Sequence, residues 1–168
     1  MSHPAVYRKL ISEIDDAFAK SGPEIKDSYI KEMPFLQACI SESLRVHPPI
    51  SQLRERVVPH EGDFLNGYRI PGGTFVGLNM LAGQIHPAYG EKPKEYRPER
   101  WLITDKAQLK QMHRNLDLVF GYGSCRCLGV NLAYMELNKI VFEVWLYDNS
   151  KTDFKFQILT DANGAIAL

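Results

Sequence analysis

Residues 86–119 constrain this chain most. The stretch beginning HPAYGEKPKEYRPERW is rich in proline, then in charge, and it offers one short helical pattern, over residues 105–112. An irregular run of this length is unusual inside a compact domain, and where it occurs it carries function or supports a site. The flanking segments are more regular. Val6, Leu10, Ile11, Ile14 and Phe18 recur at helical spacing, with Lys9, Glu13, Asp16 and Lys20 on other faces. Ser2 and Pro4 suit the start of that helix, and Ser21-Gly22-Pro23 stops it. Pro34, a good first-turn residue, opens a second helix through FLQACISESLRV, which His47-Pro48-Pro49 ends.

From Ser51 the pattern changes. RERVV, DFLNGYRI and GTFVGLNM are short strand-like runs broken by Pro59, Asn66-Gly67 and Pro71-Gly72-Gly73, and they read as hairpins. Beyond the irregular stretch, VNLAYMELNKIVFEVW is apolar around most of its circumference, the pattern of a buried helix. The alternating DFKFQIL and the Asn163-Gly164 turn predict terminal strands. The expected fold class is mainly α with small β-sheets. Helices fall within 1–50, hairpins within 51–85, a meander and a cysteine loop within 86–127, a buried helix within 128–147 and strands within 148–168.

The 168 residues suffice for one domain with a core, and 45% hydrophobic with 24% charged content is that of a globular protein. Acidic and basic residues balance at 20 each, so no electrostatic case arises for nucleic acid or an anionic membrane as partner. Three cysteines, Cys39, Cys125 and Cys127, do not make a disulfide framework, and the last two would bridge only with strain, which points to a reducing compartment. The sequence contains neither a signal peptide nor a run of membrane-spanning length.

FGYGSCRCLG, residues 120–129, carries the chemistry. Cys127 stands just before the apolar helix, where the macrodipole and unpaired N–H groups favour thiolate. Gly121, Gly123 and Gly129 allow tight turning and close approach to a flat cofactor, and Phe120 offers a ring to cover one. A single thiolate suits a soft metal, or iron whose other positions are filled. Two plainer readings compete: a buried cysteine in a turn, and a Cys-x-Cys zinc or copper site, which lacks further ligands nearby.

The loop resembles the haem-binding signature of cytochrome P450s, Phe-x-x-Gly-x-Arg-x-Cys-x-Gly, with Phe120, Gly123, Cys127 and Gly129 on its fixed positions. The resemblance implies haem b, with Cys127 as axial thiolate to iron and the other three residues around the cofactor. RNLDLVFGYG before the cysteines and LAYMELNK after them are similar to the family as well. One position departs. Cys125 occupies the slot of the arginine that contacts a haem propionate, and Arg126 falls one place late.

Two remote motifs extend the resemblance. Glu42-Ser43-Leu44-Arg45 puts two opposite charges on one helical face, a weak signal alone. It is similar to the family's Glu-x-x-Arg helix, which is also followed by His-Pro-Pro, and YRPERW resembles the Pro-Glu-Arg-Phe/Trp segment. By that resemblance Arg100 completes a structural cluster with Glu42 and Arg45, its guanidinium fork pinning the meander. Arg56, in RERVVP, matches an arginine that many members direct to a haem propionate. The five histidines are scattered singly and none is assigned to a metal.

The resemblance covers only the C-terminal portion of the P450 fold. It implies a truncated chain lacking the central helix of the distal haem face, whose acid–alcohol pair delivers protons, so no catalytic residue is assigned here. For the whole protein it implies a haem-thiolate monooxygenase that inserts one atom of O2 into a small organic substrate, with electrons from NADPH–cytochrome P450 reductase. Eukaryotic members are usually anchored in the endoplasmic-reticulum membrane. The alternative is a non-catalytic remnant, or a haem-binding or interaction module.

Overall fold

The computed structural model describes residues 3–21 and 26–149. In chain order the helices are α1 (Pro4–Ser21), α2 (Asp27–Ile30) and α3 (Pro34–Val46). Four strands follow: β1 (Arg54–Val57), β2 (Asp63–Leu65), β3 (Tyr68–Ile70) and β4 (Phe75–Leu78). Then come α4 (Met80–Gln84), α5 (Lys106–Asp117) and α6 (Val130–Asn149), with 3₁₀ turns at Pro87–Tyr89, Pro98–Leu102, Leu118–Phe120 and Gly123–Cys125. Helices and two small sheets are the expected class. The chain divides into two compact units, one of Met1–Met33 with Asn131–Leu168, the other of Pro34–Val130.

In the first unit, Ile14 and Ala17 of α1, Ile30 of α2, Met33, and Asn138 and Phe142 of α6 are buried. Asp27 at the start of α2 pairs with Lys31 at 2.6 Å and accepts a hydrogen bond from the Asn138 side chain at 3.3 Å, tying α2 to α6. The expectation of a buried helix over 128–147 is corrected here. Leu132, Ile140 and Val144 are exposed, Ile140 by 58%, and among the described side chains of the helix only Asn138 and Phe142, four residues apart, are fully buried. The described residues of that unit cover one face, whereas apolar residues surround the helix. The strands expected over 148–168 lie outside the described residues, except that Asp148 and Asn149 finish α6.

The second unit begins with α3, whose buried residues run from Phe35 to Arg45 with few gaps. The Asn66-Gly67 turn joins β2 to β3, with Asn66 at φ 51° and Gly67 at φ 84°, as a two-residue hairpin of this hand requires. The other two breaks are not hairpin turns. β1 pairs with β4 instead, antiparallel, with Arg54 opposite Leu78 and Val57 opposite Phe75, so the β2–β3 hairpin is an insertion between paired strands. Hydrogen bonds from Val58 N to Thr74 O (2.9 Å) and from Gly73 N to Val58 O (3.0 Å) extend that pairing toward the insertion. There the two connections press together, and a Cβ on Gly72 would run into the His60 carbonyl.

The meander leaves β4 through α4, capped by the Asn79 carboxamide on Ala82 N (3.0 Å). It then proceeds by 3₁₀ turns to α5. That helix is longer than residues 105–112, because Asp105 caps it through Ala107 N and Gln108 N while Met112 and Leu116, one turn apart, are both buried. α5 packs on α3, on α4 and on the Pro87–Tyr89 turn.

The Gly72 contact yields a stability test. Gly72→Ala is expected to cost about 1–3 kcal/mol in urea unfolding, since backbone must shift to admit the methyl group. Gly83→Ala, in α4 with open space around its missing Cβ, is expected to be neutral or mildly stabilising. Equal midpoints for the two variants would contradict the packing described.

Candidate functional site

One carboxylate organises the second unit. Arg45, one turn along α3 from Glu42, grips it with two hydrogen bonds, Nε to Oε2 and NH2 to Oε1, both 2.8 Å. Arg100, from the Pro98–Leu102 turn, donates Nε to Oε1 at 3.0 Å. Trp101 donates its indole N–H to Oε2 at 2.9 Å, and the Arg97 amide donates to Oε1 at 2.7 Å. Glu42, Arg45 and Arg100 are all buried, Glu42 completely. The structure therefore brings these three together and adds Trp101 and the Arg97 amide, which sequence reasoning missed.

Two guanidiniums against one carboxylate leave a buried positive charge, which backbone carbonyls stabilise. Arg45 donates to the carbonyls of Gln84 (2.7 Å), Pro93 (2.5 Å) and Glu95 (3.1 Å). Arg100 donates to those of Tyr89 (2.5 Å), Glu91 (3.3 Å), Lys92 (3.2 Å) and Glu95 (3.1 Å). Irregular chain that forms no ladder thus finds its hydrogen-bond donors in two side chains. Tyr89 fills the remaining space. Its ring lies 5.2 Å from the Arg45 guanidinium carbon and meets Trp101 edge-on at 5.9 Å, and its hydroxyl donates to Gln84 Oε1 at 2.8 Å. Burial pushes the Tyr89 phenol far above its usual range.

Burial alone would raise the Glu42 carboxyl, but the hydrogen bonds from Arg45, the Arg97 amide and Trp101 outweigh it and hold the group below the usual carboxylate range.

The cysteine loop follows the meander. Val119 and Phe120 are buried, and from Tyr122 to Gly129 every residue is exposed. The loop closes where Cys127 N donates to the Phe120 carbonyl at 2.7 Å, and Arg126 N bonds Gly123 O at 3.1 Å inside it. Gly121 and Gly123 adopt φ 83° and 67°, conformations that side chains resist. A Cβ on Gly123 would meet nothing, and one on Gly129 would lie 3.8 Å from Cys127 Sγ. Cys125 and Cys127 are both free, exposed thiols, so the reading of a buried structural cysteine is overturned for this loop. Among the described residues no group of three or more His, Cys, Asp or Glu side chains could hold a metal ion, which leaves the Cys-x-Cys pair without a third ligand among them.

Arg56 lies on β1, its side chain bonded locally to the Glu55 carbonyl at 2.7 Å. Arg54, on the same strand, reaches the loop directly and donates to the Val119 carbonyl at 2.7 Å. Both arginines line a cavity of about 420 Å³ that extends to Gly121 and Tyr122. An accessible thiol in a glycine-turned loop with open space at Gly123, beside a cavity lined by two cations, fits a flat cofactor that carries carboxylates. The residues present fit haem.

Comparison with known proteins agrees. The cytochrome P450 family matches residues 1–145, and the chain belongs to that family. It is 40% identical over 147 residues to the cytochrome P450 monooxygenase aba1 of Botryotinia fuckeliana, an overlap of 86% of this chain and 29% of that protein. It is 40% identical over 148 residues to ABA1 of Pyricularia oryzae (85% and 29%) and 38% identical over 152 residues to cicH of Emericella nidulans (87% and 30%). The chain thus spans less than a third of the length of these relatives.

The cluster generates two expectations. Arg100→Ala leaves the carbonyls of Tyr89, Glu91 and Lys92 without their donor and is expected to cost about 3–5 kcal/mol in chemical denaturation followed by tryptophan fluorescence. Glu42 has a folded-state pKa below its unfolded value of 4.5. Its contribution to stability is therefore present above that value and lost as pH falls through the folded one. Wild-type stability should fall in that acid range more steeply than that of Glu42→Gln. Parallel pH profiles, or a loss under 1 kcal/mol for Arg100→Ala, would contradict the cluster's role.

Proposed function

We propose that this chain carries the proximal haem site of a P450 monooxygenase, with Cys127 as the axial thiolate. The observation that supports it most is the loop itself: an exposed Cys127 whose backbone N–H is fixed on the Phe120 carbonyl, in a turn opened by glycines. Phe120, Gly123 and Gly129 flank the cofactor, and Arg56 pairs with one of its carboxylates. When bound, haem b supplies the redox chemistry by which one oxygen atom of O2 enters a small organic substrate. Electrons come from NADPH–cytochrome P450 reductase. This chain's own residues do the holding. Cys127 would offer its sulfur from the exposed loop, and the glycines would keep side chains clear of the ring face. The Glu42 cluster acts at a distance by keeping the preceding meander rigid.

The same exposure argues that the chain alone does not oxygenate. Residues 122–129 are exposed, and productive oxygen chemistry needs a site closed to water and supplied with protons. Phe64, Tyr68, Phe75 and Leu128 also stand exposed, which favours a haem-holding or interaction module for the isolated chain as the second reading. Among the described residues no helix is long and apolar enough to cross a membrane.

Haem reconstitution separates these readings. The reduced, carbon-monoxide-bound chain is expected to show the red-shifted Soret band of thiolate ligation. Cys127→Ala should lose it and Cys125→Ala should keep it. With reductase, NADPH and a substrate panel, no CO-sensitive product formation is expected. Loss of the band in Cys125→Ala alone would contradict the ligand assignment, and coupled oxygenation would contradict the reading of the chain as incapable of turnover.

A further inference from the structure

Arg54 was not singled out by the sequence, and its surroundings are unusual. One guanidinium nitrogen, NH2, is satisfied by the Val119 carbonyl. Nε is buried without a partner, the one such side-chain atom among the described residues. NH1 lies against Gly121, where a Cβ would come within 2.8 Å of it. The next atom at that point, at 3.0 Å, is the carbonyl oxygen of Cys125, followed by Arg126 Cα at 3.6 Å. Arg54 therefore enters the loop beside residue 125, and Gly121 makes room for it.

Electrostatics sharpen the point. Arg54 and Arg56 are two apart on β1 and so share a face. Both line the same cavity, and its other lining residues are apolar, glycine or Tyr122, with no carboxylate among them. The unmet buried donor of Arg54, with the exposed Arg56 cation two residues along, favours an anion at this place. A carboxylate is the anion that guanidinium forks match best.

We propose that Arg54 binds a haem carboxylate together with Arg56, standing in for the loop arginine whose place Cys125 takes. The inference rests on the reading of Cys127 as haem ligand. Arg54 is a cofactor-binding residue: one nitrogen holds the loop at Val119 while the rest of the fork serves the cofactor. The loss of an arginine within the loop is thereby compensated from the neighbouring strand.

The test is a pair of Soret titrations on the whole chain, with haem and with haem dimethyl ester, whose carboxylates are blocked. The wild type is expected to prefer haem. Arg54→Gln should shrink that preference about ten- to a hundredfold, the worth of a hydrogen bond to a charged group, and Arg54→Lys should restore part of it. Comparing two ligands on one variant cancels any loss of folding common to both. A haem-to-ester ratio unchanged in Arg54→Gln would overturn the proposal and leave the haem reading intact. A Soret band indifferent to Cys127→Ala would overturn the haem reading itself, and the proposal with it.

Discussion

The second unit depends on the Glu42 carboxylate. Irregular chain has carbonyls and amides that no ladder satisfies, and burying them unpaired would cost more than the fold can spare. Here the solution is two arginines fixed on one acid. Glu42 orients Arg45 and Arg100 so that their remaining N–H groups meet the carbonyls of residues 84, 89, 91, 92, 93 and 95. The acid neutralises one of the two cations, and carbonyl dipoles stabilise the other. Removing the carboxylate would leave both guanidiniums buried without counter-charge, so its role reaches well beyond one ion pair.

That support and the cysteine loop differ in burial for a physical reason. The cluster is buried and saturated with hydrogen bonds, which makes it rigid. The loop from residue 122 to 129 is exposed and held by few bonds, chiefly Cys127 N to Phe120 O and Arg54 to Val119 O. A rigid base is what allows an open loop to keep its shape.

Local rules made part of this legible from sequence. Helical spacing joined Glu42 to Arg45, Pro34 and the His-Pro-Pro run bounded α3, and Asn66-Gly67 marked the two-residue hairpin of β2 and β3. Arg100 came from family resemblance alone, because a contact 58 residues away leaves no periodic trace. Trp101, Tyr89 and Gln84 were missed for the same reason. The partner of β1 was misread because strand pairing across an inserted hairpin is set by how two connections pack at Gly72 and His60, which pattern does not reveal. For α6, apolar residues around the helix announced a capacity for burial without saying what would cover it. Arg54 drew no notice in the sequence, because its reach to the Val119 carbonyl, 65 residues away, leaves no local pattern.

The central claim is that Glu42 holds the meander in place. Amide hydrogen exchange on the chain and on Glu42→Gln measures this directly, residue by residue. The account predicts a selective loss of protection across the amides between Gln84 and Leu102 in the variant, with the β2–β3 hairpin unchanged. Wild-type protection of the meander in Glu42→Gln would contradict it.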